Sequence, residues 1–198
     1  MAANVVLAAL KHVWTTLAPL RLPMALMGGV ALAVWQYVRA TRDVDLLVSL
    51  GNSDFGLVMA RLAAAGIHPK RQPPLVPLGS LQIAQFRYEP PGAFVDVQVD
   101  LLLAESDYHR QALVRRVQVH LPDLGMEIHV LGCEDLILHK LLAGRMIDRA
   151  DAAALLRLNR ASLDLAYLHK EVADLGVSVE FGEAWRQAFP DELAPKIE

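Results

Sequence analysis

The sequence predicts an α/β fold in its front part and an α-helical segment behind it, with the boundary near residue 132. Three observations carry this reading. Asp43-Val44-Asp45-Leu46-Leu47-Val48 opens on two carboxylates and continues apolar, as a buried strand does. Leu81 to Tyr88 and Phe94 to Leu103 flank Glu89-Pro90-Pro91-Gly92-Ala93, two strand-like runs around a turn. From Cys133 onward the apolar residues recur at helical spacing.

The elements follow in order. Residues 3–17 read as an amphipathic helix stopped by Pro19. Met24 to Met27 reads as a short buried strand, broken by Gly28-Gly29, and Val30 to Val38 as a helix. After the Asp43–Val48 strand, Ser53 to Ala65 is helical, with Gly66 as its C-terminal stop. Segment 68–80 carries four prolines and a glycine and reads as a loop or irregular edge. In the second hairpin strand Val95, Val97 and Val99 take one face, and Asp96, Gln98 and Asp100 the other. Ser106 caps a helix running to about Arg116, and Glu127 to Leu131 is a short strand. Helices are expected at about 133–144, 148–158 and 162–174. Residues 1–132 thus form an α/β core and 133–198 a C-terminal helical segment.

Composition narrows the class. The chain has 198 residues, 54% of them hydrophobic, and a formal net charge of −3. That supports a sizeable core and excludes a global basic field for nucleic acid. A single cysteine, Cys133, excludes an intrachain disulfide and fits a reducing compartment. The apolar start, Met1 to Leu10, has no basic leader or cleavage site and does not read as a signal peptide. The longest apolar stretch, Met24 to Trp35, spans 12 residues, whereas a membrane span needs about 20. The expectation is a soluble, cytoplasmic protein with no membrane partner.

The chemistry begins at Asp43 and Asp45. Residues i and i+2 of a strand share a face, so the two carboxylates project side by side. Their repulsion is relieved by a cation between them. Mg²⁺ is held by one or two carboxylates together with substrate phosphates. If the strand ending at Leu103 lies beside this one, a third carboxylate joins. Three carboxylates on neighbouring strands suit a two-metal site for in-line phosphoryl displacement. Alternation alone does not separate Asp100 from Asp96 as that third carboxylate. Gly28-Gly29, at a strand-to-helix turn, can expose backbone N–H groups to a triphosphate, or serve only as a tight turn.

Gly28-Gly29-Val30-Ala31-Leu32 followed by Arg39-x-Thr41-x-Asp43-x-Asp45 resembles the polymerase-β-like nucleotidyltransferase superfamily, and within it the AbiEii-type minimal nucleotidyltransferases. Val99-Asp100-Leu101-Leu102 resembles that family's third-carboxylate strand. The run from Glu134 to Arg145, with Asp148-Arg149-Ala150-Asp151 after it, resembles its C-terminal helical motif. The resemblance covers residues 24–158. It implies a mixed sheet flanked by helices, with the helical segment closing the cleft. It implies that Asp43, Asp45 and Asp100 are catalytic and hold Mg²⁺, as two ions, with Asp100 assisting deprotonation of the acceptor. Gly28 and Gly29 would line the phosphates of a nucleoside triphosphate (NTP), and Lys140 would contact them. Arg39 and Thr41 would brace the metal-binding strand, Asp148 and Asp151 would organise the helical side of the cleft, and Arg39, Thr41 and Asp148 would join the nucleotide-binding set. The implied reaction moves a nucleoside monophosphate from an NTP to an acceptor hydroxyl on an RNA 3′ end, a protein or a small molecule. A cognate antitoxin or toxin is an implied partner.

Two positions depart from the pattern. Val30 stands where many relatives carry Ser or Thr, and Ile147 where they often carry Lys. These departures motivate a second reading: a binding module with the same fold, little activity and a role in a toxin–antitoxin-like complex. A third reading is an acidic cluster that holds only a structural cation. Other residues read plainly. His129 and His139 satisfy local hydrogen bonds, Cys133 fills the core, and Trp14, Trp35 and Trp185 pack in it. Arg110, Arg115 and Arg116 form a solvated helix face.

Overall fold

A computed structural model describes residues 2–78, 81–195 and 197. In chain order the elements are α1 (Ala2–Leu17), β1 (Met24–Met27), α2 (Gly28–Val34), β2 (Asp43–Val48), α3 (Phe55–Ala64), β3 (His68–Pro69), β4 (Leu75–Leu78), β5 (Leu81–Tyr88), β6 (Val97–Leu103), α4 (Asp107–Val114), β7 (Val117–Leu121), β8 (Met126–Val130), α5 (Cys133–Ala143), α6 (Met146–Asn159), α7 (Leu165–Asp174) and α8 (Ser178–Ala188). The chain divides into two compact units. One comprises Met1–Val30 and Ala40–Leu131, the other Ala31–Arg39 and Gly132–Glu198.

The first unit is built on a mixed sheet, in the order β3-β5-β6-β2-β1-β8-β7, with β4 also paired to β5. β2 runs parallel to β6, and β1 parallel to β8; the other pairs are antiparallel. The parallel β2–β6 ladder aligns Asp43 with Gln98, Val44 with Val99, Asp45 with Asp100 and Leu46 with Leu101. Side-chain alternation then sorts the two faces. Val44, Leu46, Val99 and Leu101 are fully buried on one of them. Asp43, Asp45, Gln98 and Asp100 lie on the other. Helix α1 packs against α3 and over β2 and β6. It buries Val6, Leu10, Val13, Trp14 and Leu17, a stripe at helical spacing.

Several elements differ from the sequence expectation. Helix α2 begins at the glycines and stops at Val34, not Val38. Gln36 adopts a left-handed conformation (φ 66°) and ends it. Helix α3 starts at Phe55, not Ser53, and Asp54 caps it, its carboxylate accepting from the Gly56 N–H. Segment 68–80 contains the edge strands β3 and β4, while residues 79 and 80 lie outside the described residues. Strand β6 starts at Val97 because Phe94 is left-handed (φ 52°) and belongs to the turn with Val95 and Asp96. Strand β7 and helix α8 were not expected at all. Among the described residues, no helix is long and apolar enough to cross a membrane.

The second unit is helical. Its core includes Leu136, Ile137, Leu138 and Leu141 of α5, Leu155 and Leu156 of α6, Leu168 of α7, and Phe181 and Trp185 of α8. Trp14 and Trp185 are buried as expected, whereas Trp35 is half-buried. Gly144, left-handed at φ 66°, closes α5 with its N–H on the Lys140 carbonyl. Asn159 Nδ2 donates to the Trp35 carbonyl, tying the Ala31–Arg39 segment to the helices.

Candidate active site

Strands β2 and β6 bring together three of the expected carboxylates. Asp45 and Asp100 are register partners, and Asp43 sits two residues before Asp45 on the same face. Asp43 and Asp45 are half-buried, and Asp100 is only 7% exposed. Asp96, the alternative third carboxylate, is exposed in the turn before β6.

Gly28 and Gly29 shape the floor of this cluster. Gly28 is left-handed (φ 66°), and a Cβ there would stand 1.8 Å from Asp45 Oδ2. A Cβ on Gly29 would stand 2.5 Å from Thr41 Oγ1. Both positions therefore require glycine: one so that Asp45 can lie against the backbone, the other for Thr41. Thr41 Oγ1 in turn donates to Asp43 Oδ1 at 2.5 Å. The motif Gly-Gly…Thr-x-Asp-x-Asp is thus one packed object. Gly28→Ala is expected to cost about 1–2 kcal/mol for the left-handed backbone alone. Displacement of Asp45 adds to that. Denaturant unfolding checks this, and an unchanged midpoint contradicts it.

Asp100 is gripped by two carboxamides. Gln98 Nε2 donates to its Oδ1 and Oδ2 at 3.0 and 2.9 Å, and Gln85 Nε2 to the same oxygens at 3.4 and 3.3 Å. Lys70 Nζ donates to Gln98 Oε1 at 2.5 Å, and Arg71 to Gln85 Oε1 at 2.7 Å. Burial pushes the Asp100 carboxyl above the ordinary aspartate range. The amide bonds from Gln98 and Gln85 oppose the shift, the Asp43 charge adds to it, and Lys70 opposes it. Among the described residues, Asp43 and Asp100 form no ion pair with Lys or Arg. Nor do three or more His, Cys, Asp or Glu side chains there form a ready-made metal cage. A magnesium site that borrows substrate phosphates needs only one or two carboxylates. Asp43 and Asp45 supply these hard oxygen donors, so the residues fit the ion.

The second unit holds a different cluster. Lys140 Nζ lies 2.9 Å from Asp148 Oδ1 and 2.8 Å from Asp151 Oδ2, and Lys140 is 5% exposed. Arg39 makes a two-pronged bond to Asp151, with Nε on Oδ1 and an NH2 nitrogen on Oδ2, both at 2.8 Å. Arg145 Nε meets Asp148 Oδ2 at 2.5 Å from a largely exposed side chain. The Lys140 ammonium, expected at the nucleotide phosphates, is here engaged by two buried carboxylates. Arg39, expected as a brace for the metal-binding strand, bonds Asp151. Of the two departures, Ile147 is half-exposed in the first turn of α6. Val30 is half-buried in α2.

Burial alone would raise the Asp148 carboxyl. Hydrogen bonds from Arg145 and Lys140, with their charges, outweigh it and hold the carboxyl below the usual range. A lowered carboxyl contributes stability that is complete above the unfolded value of about 3.9 and is lost as pH falls through the folded one. Asp148→Asn is therefore expected to flatten the stability profile below about pH 4. Asp100 has the opposite sign: its raised carboxyl makes ionisation a cost as pH rises. Urea unfolding of both proteins across this range checks the difference.

Other expected roles are resolved locally. Burial, and then the Glu134 charge, push the Cys133 thiol up to about 12, so it is an inert filler. Burial, with the Arg116 charge, lowers His129. Arg110 bonds Asp107 and the Glu105 carbonyl, and Arg116 the Leu113 carbonyl. Sequence reasoning missed Gln85, Lys70 and Arg71. The clue it held was Gln98, on the same face as Asp100.

Solved structures share the fold. A nucleotidyltransferase-like antigenic protein from Paracoccidioides brasiliensis aligns at TM-score 0.53 and 18% identity, covering 88% of this chain and 90% of that one. The antibiotic-resistance factor ANT(2'')-Ia aligns at TM-score 0.58 and 16% identity, covering 89% and 93%. JHP933 from Helicobacter pylori aligns at TM-score 0.50 and 17% identity, covering 92% and 76%. No curated protein matches the sequence. The family model for the nucleotidyl transferase AbiEii toxin of type IV toxin–antitoxin systems matches residues 9–195, nearly the whole length, and the chain belongs to that family of nucleotidyltransferases.

Proposed function

We propose that this protein is a Mg²⁺-dependent nucleotidyltransferase that moves a nucleoside monophosphate from an NTP to an acceptor hydroxyl, as the toxin of a toxin–antitoxin pair. The observation that carries this reading is the register of Asp43, Asp45 and Asp100 on one sheet face beside the Gly28-Gly29 turn. When bound, Mg²⁺ would supply charge neutralisation for the phosphates. Asp43 and Asp45 would hold it, with Asp100 completing the set.

The chain's own groups do the rest. Thr41 holds Asp43 in place. The Gly28-Gly29 backbone approaches the phosphates without a side chain in the way. Asp100 accepts the acceptor hydroxyl's proton as the new oxygen–phosphorus bond forms and the bond to pyrophosphate breaks. Most of the rate enhancement comes from positioning and charge neutralisation. The family also supports a cognate antitoxin as partner.

The test is incubation with Mg²⁺ and each α-labelled NTP against total RNA, total protein and small-molecule alcohols in turn. Label transferred to one acceptor class, with pyrophosphate released, is the expected result. No label on any class and no pyrophosphate contradicts the proposal.

A further inference from the structure

We propose that Gln98 and Gln85, each locked by a cation, are positioning residues that aim the Asp100 carboxylate for metal binding. The inference rests on the transferase reading of Asp100 above.

The geometry has a repeated form. Lys70 donates to the Gln98 oxygen and Arg71 to the Gln85 oxygen, and both amide nitrogens donate to Asp100. A cation only donates hydrogen bonds, so it must face an amide oxygen. That orients each NH₂ group toward the carboxylate and forbids the flipped amide, which would turn an oxygen on Asp100. The Lys70 charge is thereby felt by Asp100 at one remove. A lysine placed directly on the carboxylate would neutralise it and compete with a dication. An amide holds it in place and is a weaker rival.

The two arms are unequal. The Lys70–Gln98–Asp100 arm is half-buried, its bonds are 2.5 to 3.0 Å long, and Gln98 spans both carboxylate oxygens. In the other arm Arg71 is exposed and the Gln85 contacts are 3.3 and 3.4 Å. Solvent screens exposed charges, so the Lys70 arm dominates. Gln98 also shares register with Asp43, so it lies on the sheet face that carries the three carboxylates.

The measurement is the affinity for Mn²⁺ in the presence of a non-hydrolysable NTP, by calorimetry, for the wild type, Gln98→Leu, Lys70→Met and Lys70→Arg. Groups that orient a metal ligand change metal affinity by about 10–100-fold when lost. Gln98→Leu is expected to weaken Mn²⁺ binding about 10-fold, at the low end of that range. Lys70→Met is expected to weaken it in the same direction, and Lys70→Arg to restore it, because the guanidinium still meets the amide oxygen. Denaturant unfolding of the metal-free proteins separates this from a purely structural role, which would lower stability and leave affinity unchanged. Wild-type affinity in both Gln98→Leu and Lys70→Met overturns the relay while the transferase reading stands. A wild type that binds no Mn²⁺ with nucleotide overturns both.

Discussion

Replacing Asp43 and Asp45 together by asparagine is expected to lower kcat for nucleotidyl transfer by about a thousand-fold or more, about 4 kcal/mol of barrier. The loss should fall on catalysis and nucleotide binding and leave the fold intact. Both side chains sit at the start of β2, on the polar face of the sheet. The hydrophobic anchoring of that strand comes from Val44, Leu46, Leu47 and Val48, which are buried and unchanged. Removing the Asp43 charge also relieves its repulsion of Asp100 in the metal-free protein. The melting temperature without metal is therefore expected to hold or rise. Activity within ten-fold of wild type contradicts the assignment. A collapse in stability contradicts the claim that these carboxylates serve chemistry instead of packing.

The largest stability effect is expected in the other unit, at Asp151. Its carboxylate is fully buried and takes Arg39 in a two-pronged bond and Lys140 at 2.8 Å. Asp151→Asn leaves Arg39 facing a neutral amide and Lys140 with Asp148 alone. Breaking a buried pair by removing one partner costs about 3–5 kcal/mol, because the remaining charge is uncompensated. Asp148→Asn should cost less, since one of its two partners, Arg145, is 72% exposed and keeps its hydration. Urea unfolding followed by helical signal checks the ranking. An Asp151→Asn protein as stable as the wild type would show that the network is dispensable. Lys140→Met tests the same cluster from its centre. An intact Kd for NTP in Lys140→Met assigns the residue to the network, and a weakened one supports the phosphate contact.

The carboxylate site was legible because it is written in short periods. Asp43 and Asp45 are two apart on a strand, and Asp100 follows Gln98 at the same interval, so alternation put each pair on one face. Which strands lie together was not legible from alternation. The parallel β2–β6 pairing joins segments separated by a helix and a hairpin, and the resemblance supplied that step. The cationic anchors Lys70 and Arg71 escaped notice because prolines crowd segment 68–80. Prolines are tolerated on edge strands, and β4 carries Pro77 in its pairing with β5.

Other differences have equally local causes. Strand β7 alternates half-buried and exposed residues from Val117 to Leu121, a strand pattern hidden behind three arginines read as a helix face. Strand β6 starts three residues after the expected Phe94. Val95 continued the alternation, yet Phe94 bends the chain to a left-handed turn and leaves both exposed. The sequence neighbours of Lys140 do not reveal that Asp148 and Asp151, a helix away, close on it.

The most direct test is calorimetric titration of a non-hydrolysable NTP into the wild-type protein and the Asp43→Asn/Asp45→Asn protein, with and without Mg²⁺. The account predicts binding to the wild type that requires Mg²⁺ and vanishes in the double variant. Equal binding by both proteins, or wild-type binding indifferent to Mg²⁺, would contradict it.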